Sequence, residues 1–310
     1  MEYGHKSVML AEVLQQLISN TRGIFVDCTL GGAGHTKAIL ETIGAKGFVL
    51  GIDKDIRAIN AAKEKLKDFS QQFSLIHGDF RYLDELLNSK VEKVDGFLFD
   101  LGLSSIQLDA SERGFSYKKE GPLDMRMDLE QKLTAYDVVN SYEKKALSSL
   151  VYQYGEEKWA SRIAGFIVKT RERNPIKSTT DLVDVIKAAI PASARRTGPH
   201  PAKRTFQAIR IEVNEELKAI ESALWQTVKW LKVGGRIVVI SYHSLEDRIT
   251  KKIFKNLAQG FMCEAGFKNC KGFEEPFVEI VTKRPLRPKE EEIIENPRAR
   301  SAKLRVAERK

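Results

Sequence analysis

Apolar positions along this chain fall into two kinds of pattern. Near the start, Val8, Leu10, Val13, Leu14, Leu17 and Ile18 recur at helical spacing and predict an amphipathic helix. Beyond them, short apolar runs bounded by turn residues alternate with longer mixed stretches. Residues 24–30, 48–53, 73–79 and 94–101 read as strands, with helices over 36–42, 56–69 and 82–87. That alternation predicts a parallel sheet with helices on both faces, joined by right-handed crossovers.

The pattern changes near residue 109. From there to 205 no run reads as a strand, only helical stretches at 135–150, 156–170 and 180–189. Gly121-Pro122, Asn174-Pro175 and Gly198-Pro199 punctuate them. A long helix is expected over 206–231, capped at Gly234-Gly235, and then a strand over 236–241. Residues 277–282 and 302–306 read as two last strands, placed to form a closing antiparallel hairpin. The expected organisation is therefore α/β: a sheet domain in two parts, 1–108 and 206–310, around an inserted all-helical domain at 109–205.

With 42% apolar and 30% charged residues, the chain has the make-up of a globular protein with a substantial core. It shows neither an apolar run long enough for a membrane span nor a signal-peptide pattern, so a cytoplasmic, membrane-free protein is expected. The three cysteines, Cys28, Cys263 and Cys270, are an odd count without metal-ligand spacing. No metal is expected; Cys263 and Cys270 can pair, but free thiols in an intracellular chain are the favoured reading. A net charge of +9 favours a polyanionic partner.

Candidate chemistry begins where the first strand ends. Asp27 leads into Gly31, Gly32, Ala33, Gly34 and His35, a glycine-rich turn that opens a helix. Such a turn lets backbone approach a ligand, and the helix start offers free N–H groups. The spacing is not the G-x-G-x-x-G of dinucleotide folds, and Asp27 would repel a pyrophosphate while suiting a cationic ligand such as the ammonium of a methionine moiety. Asp53, about 20 residues further on, stands where a ribose diol is gripped. Asp79 and Phe80 end the third strand, where a carboxylate can accept from an adenine amino group and a ring can stack on the purine. Asp100 ends the fourth, so acids stand at four successive strand ends, where ligands of such sheets bind.

An exocyclic amine on a base is a poor nucleophile, because its lone pair is delocalised into the ring. Asp100 can orient such an amine, or it can bind cofactor or cap a loop; both readings stay open. Gln107 can reach the same cavity or be a plain loop residue. Tyr242 and Phe115 are candidates for stacking on a base. His243 is a general base or, with better support, a structural histidine; no Gly-x-Ser-x-Gly elbow precedes it. Residues 195–210 carry Arg195, Arg196, Lys203, Arg204 and Arg210 with His200 and no acid. Together with the basic tail at 283–310 they are candidate phosphate-binding surfaces.

Residues 3–12, 29–35, 100–109, 112–116, 121–128, 200–216, 241–247 and 296–305 together resemble the bacterial MraW family of ribosomal RNA methyltransferases, from end to end of the chain. The resemblance implies a class I S-adenosylmethionine-dependent methyltransferase, Rossmann-like, with a mostly parallel seven-stranded sheet, a C-terminal antiparallel hairpin and a helical insert. It implies S-adenosyl-L-methionine as cofactor and the N4 amine of a cytidine in the decoding region of 16S rRNA, free or in the small subunit, as substrate. A monomer and a homodimer are equally compatible. Family cofactor positions fall on Ala33, Gly34, His35, Asp53, Phe80, Asp100 and Gln107. Ala33 stands where relatives often carry glycine, and alanine is expected to be tolerated there with a negative φ. The segment Asp100-Leu101-Gly102-Leu103 replaces the Pro-Pro-aromatic motif of other amino methyltransferases, and its absence argues against a DNA cytosine-N4 enzyme. Asp27 argues against a nicotinamide dehydrogenase, and the four strand-end acids argue against a non-catalytic RNA-binding module.

Overall fold

Strands buried on both sides read as near-continuous apolar runs, as residues 24–26, 48–52, 97–99 and 237–240 do here. The computed structural model describes residues 6–196, 198–263, 270–272 and 275–310. Residues 3–5 of the first motif and Thr197 of the basic run lie outside them, as do the side chains of Cys263 and Cys270 and with them their pairing. The strands are β1 (Ile24–Asp27), β2 (Phe48–Asp53), β3 (Phe73–His77), β4 (Val94–Asp100), β5 (Leu231–Ser241), the small hairpin β6 (Phe261–Cys263) and β7 (Cys270–Gly272), β8 (Val278–Ile280) and β9 (Lys303–Arg309). Seven of them form one sheet in the order β3-β2-β1-β4-β5-β9-β8. Pairing is parallel from β3 to β5, and β9 runs antiparallel to both β5 and β8. This is the mostly parallel sheet with a closing antiparallel hairpin that the alternation predicts.

Successive residues supply opposite faces. Val26, Phe97, Phe99, Ile237 and Val239 enter one apolar cluster with Ile220, Ala223, Leu224 and Val228 of the helix Glu216–Trp230. Phe25, Leu98, Val238 and Ile240 enter the other, with Val13 and Leu17 of Leu10–Leu17, Ile39 and Leu40 of Gly34–Thr42, and Ile59 and Ala62 of Ile56–Lys65. Asp55 caps the last of these helices, accepting from Arg57 N. Helix 56–69 of the sequence reading ends at Lys65 and continues only as a short 3₁₀ turn, Lys67–Phe69.

By contacts the chain divides into two units, residues 1–104 with 217–310, and residues 105–216. The second is helical, with Ala135–Ser141, Lys144–Gly155, Ala160–Arg171, Thr179–Ala189 and Lys203–Asn214 as its main elements. Thr134 with Asp137, and Ser178 with Asp181, form capping boxes at two of them. Among the described residues no helix is long and apolar enough to cross a membrane.

Two expectations are corrected. The long helix over 206–231 is two helices, because Glu215 adopts a left-handed conformation (φ 47°) between Asn214 and Glu216. Asn214 is buried and ties the break down: its Oδ1 accepts from Met127 N (2.8 Å), and its Nδ2 donates to Met125 O (2.8 Å) and Arg210 O (2.9 Å). Nor does Gly234-Gly235 end a helix before a fresh strand. β5 already pairs at Leu231, deviates at Gly234 (φ 78°), and resumes pairing at Arg236 in a shifted register.

The break makes a stability prediction. Asn214→Leu keeps the volume but leaves the Met127 N–H and Met125 carbonyl unmatched, so unfolding of the helical unit should cost about 2–3 kcal/mol less. Urea denaturation reads this directly, and an unchanged midpoint would remove Asn214 from that role.

Candidate active site

The sheet order decides which strand ends become neighbours. The strand order reverses between β1 and β4, and the crevice at such a switch point is where α/β sheets bind ligands. In register, Asp27 lies opposite Gly51 and Leu98, two residues short of Asp53 on β2 and of Asp100 on β4. At about 3.3 Å per residue, β1 therefore stops some 6–7 Å lower than its neighbours. The turn fills this recess: Cys28 N donates to Leu98 O (2.9 Å) and Leu30 N to Ile52 O (3.0 Å).

Three acids hold the turn. Asp27, 1% exposed, accepts from Thr29 N (3.1 Å) and from Thr36 Oγ1 (2.6 Å). Asp53 accepts from Gly31 N and Asp55 N (both 2.8 Å). Asp100 contributes its own N–H, which donates to Thr29 Oγ1 (2.7 Å). Gly31 sits at φ 48°. So does its near neighbour: Ala33 is at φ 54°, not the expected negative angle, because its N–H turns back to Leu30 O (2.7 Å) before the helix starts at Gly34. The left-handed conformation explains why glycine suits that place in relatives. Thr29 and Thr36 were absent from the sequence-derived site; threonines on either side of the turn were the only signal.

Asp100 also joins a second group. Tyr242 Oη donates to its Oδ1 (2.6 Å), and His35 Nδ1 lies 3.5 Å from its Oδ2. The Val8 carbonyl, 3.0 Å from His35 Nε2, can only accept, so Nε2 carries hydrogen. The Nδ1 contact is then favourable only with a proton between imidazole and carboxylate. Tyr242 is held from behind: its N–H and that of His243 donate to Glu246 Oε2 (2.7 and 3.1 Å). A Cβ on Gly102 (φ 110°) would come within 3.2 Å of the Tyr242 ring, so the loop after β4 lies directly on it. His243 caps the helix Ser244–Ala258 in a capping box with Glu246, the structural reading of that histidine.

Burial raises the carboxyls of Asp27 and Asp100 above the usual carboxylate range, against the lowering effect of Thr36 and His35 on the first and of His35 and Tyr242 on the second. It pushes Asp53 up to about 6. Burial, then the Asp100 charge, pushes the Tyr242 phenol well up, so it remains a donor. Three carboxyls here are therefore held against ionisation by burial, a setting that a bound cation relieves and a pyrophosphate would worsen.

At the β3 end, Asp79 caps the 3₁₀ turn Phe80–Tyr82, accepting from Arg81 N (2.9 Å), and faces Arg81 Nε (3.2 Å) and Lys54 Nζ (3.7 Å). Phe80 is half-buried, its ring edge-on to Phe99 at 5.7 Å between centroids.

The helical unit holds the other candidates, not all in the expected state. Gln107 is buried on the short helix Ser105–Asp109. Phe115 is 5% exposed with the Arg113 guanidinium 5.8 Å over its ring, which leaves little of the ring free to stack on a base. Arg210 is not an open phosphate contact either: Glu216 holds it through two 2.8 Å bonds. Arg204 reaches Glu156 O (3.1 Å) and Glu157 (3.9 Å). His200 stacks on Tyr117 at 4.8 Å, and burial lowers its pKa, with help from Lys187 and Lys118. Arg195, Arg196 and Lys203 are exposed, Arg195 bonding the Ile190 carbonyl.

The sequence model described as the MraW methylase family matches residues 2–310. The chain belongs to that family. It is 51% identical to the ribosomal RNA small subunit methyltransferase H of Halothermothrix orenii over 98% of both chains, and 50% identical to that of Clostridioides difficile over the full length of both. MraW-family membership makes it an S-adenosylmethionine-dependent methyltransferase of the class I fold.

The residues present fit that cofactor. The cofactor's sulfonium is a cation, and the turn at Gly31 is held by three acidic residues, Asp27, Asp53 and Asp100. Asp53 and Asp100 are also partly exposed acceptors.

Ala33 offers a test of the turn. Its left-handed conformation costs about 1–2 kcal/mol, while glycine would lose a buried methyl worth about 0.8 kcal/mol and add backbone entropy worth about 0.5–1 kcal/mol. The effects cancel, so Ala33→Gly should leave the melting temperature within a few degrees. Ala33→Val, β-branched at positive φ in a fully buried place, should lower it markedly. Equal melting temperatures for both variants would contradict the turn described.

Proposed function

We propose that this protein methylates the exocyclic N4 amine of a cytidine in the decoding region of 16S rRNA, presented by the rRNA or the small ribosomal subunit. The observation that carries this reading is Asp100: a partly exposed acceptor at the switch point, beside the cofactor turn and oriented by Tyr242 and His35. The relatives' names, ribosomal RNA small subunit methyltransferase H, supply the substrate class.

S-adenosylmethionine, when bound, supplies an electrophilic methyl on sulfur. Asp53 would grip the ribose hydroxyls, Phe80 and Asp79 the adenine, and the Gly31–His35 turn the amino-acid portion, above the buried charge of Asp27. Asp100 accepts from the N4 hydrogens, which lets the nitrogen pyramidalise and localises its lone pair toward the methyl. Tyr242, with its hydroxyl on Asp100 and its ring against Gly102, acts as a positioning residue, and this replaces the stacking role expected of it. Reaching a paired cytosine requires extruding it, at a few kcal/mol. Arg195, Arg196 and Lys203 supply phosphate contacts that offset part of this.

Asp100→Ala should reduce methyl transfer at least ~100-fold at saturating substrates, and Tyr242→Phe should reduce kcat with little change in KM. Near-normal turnover of Asp100→Ala, followed with labelled methyl and 16S rRNA, would overturn the assignment.

The cofactor site should also show a pH signature. Because the Asp53 carboxyl titrates at about 6 when folded and at about 4 when unfolded, the folded chain holds a proton between these values that the unfolded chain has lost. Its burial therefore lowers stability as pH rises through 6, and a ligand that favours the carboxylate recovers the loss. Thermal stabilisation by S-adenosylmethionine should grow between pH 5 and pH 7, and Asp53→Asn should abolish the growth.

A further inference from the structure

One face of the helix Lys144–Gly155 has no part in the chemistry above. Leu147, Leu150 and Val151 are buried on one side. On the other, Lys144, Lys145, Ser148, Ser149 and Tyr152 follow helical spacing and, with Ser161 of the next helix, line an open cavity of about 550 Å³. A solvated helix face ordinarily mixes acids with lysines, and serine is a poorer helix former than alanine or glutamate. This face has two cations, three hydroxyls and no carboxylate. Tyr152 is 66% exposed, a large ring left in solvent. The Lys144 stem passes Gly165 of the next helix, where an added Cβ would lie 3.5 Å from its Cε, so the lysine lies across the two helices. Among the described residues neither lysine pairs with a carboxylate.

We infer that this cavity binds an unpaired nucleotide of the substrate RNA, with its base on the Tyr152 ring and its flanking phosphates on Lys144, Lys145 and the serine hydroxyls. Cations and hydroxyls bind phosphate, and an exposed aromatic ring stacks on any base, so the combination fits single-stranded RNA better than a duplex or a protein surface. The volume is within the range of small-ligand sites. The inference rests on the rRNA reading proposed above and adds to it a binding site on the helical unit.

The experiment compares wild-type protein with Tyr152→Ala, Tyr152→Phe and Lys144→Gln/Lys145→Gln. It measures melting temperature, S-adenosylmethionine affinity, binding of a short unstructured RNA, and kcat and KM on 16S rRNA and on small subunits. Tyr152→Ala should weaken RNA binding and raise KM about ten-fold, with kcat, cofactor affinity and melting temperature unchanged, and Tyr152→Phe should restore both. The double lysine variant should flatten the slope of log affinity against log salt by about 1.4, as for two single-strand phosphates. Normal RNA binding and KM in both variants, while the wild type methylates rRNA, would overturn this inference and leave the rRNA reading standing. Variants normal on free RNA but defective only on the assembled subunit would also overturn it, in favour of a protein contact. A wild type that neither binds nor methylates rRNA would overturn both.

Discussion

The site depends on a buried carboxylate that lets a strand end early. Asp27 is enclosed by protein, and a buried charge must be matched by donors. It finds them in Thr29 N and Thr36 Oγ1, one on each side of the glycine turn, so satisfying Asp27 closes the turn on itself. Because β1 stops two residues below Asp53 and Asp100, the closed turn has a recess to occupy between them. Lengthening β1 would push the turn out of the sheet edge and separate the acids from the backbone N–H groups they hold.

The same bonds carry the site outward. His35, at the start of the helix after the turn, is oriented by the Val8 carbonyl. Residues 6–9 are in turn held from the far end of the chain: Glu292 accepts from Met9 N (2.6 Å), Asn296 Nδ2 donates to Lys6 O (3.0 Å), and Lys6 pairs with Glu295. Asp100 is reached from β5 by Tyr242, whose backbone is fixed by Glu246 at the start of the following helix. Asp100, proposed to orient the substrate amine, is therefore braced by segments from the start, middle and end of the sequence. Such preorganisation keeps an acceptor aimed at a reacting nitrogen without reorganisation during the reaction.

Much of this was legible in the residues. The apolar runs named the strands, because strands covered on both faces need apolar side chains along most of their length. The strand-end acids and the glycine turn named the cofactor edge, because few other needs place carboxylates at successive strand ends. What was not legible concerns partners distant in sequence. The residues at 206–231 have the composition of one helix, and only the bonds from Asn214 to Met125 and Met127 impose the break. Arg210 belongs by sequence to a basic run, but a turn at Glu215 brings Glu216 onto it.

Local propensities, the order of strands and helices, and the chemical inventory of the site follow from residues a few positions apart. Which groups are free to act depends on contacts made across the whole fold. Phe115 is an aromatic candidate in any reading of the chain, until burial beneath Arg113 takes its surface. Ala33 reads as a turn residue with a negative φ, until the bond back to Leu30 holds it left-handed. Tyr242 reads as a loose ring at a strand end, until Asp100 and Gly102 fix it. Burial, backbone angle and hydrogen-bond partner are set by where the whole chain packs, and no local pattern encodes them.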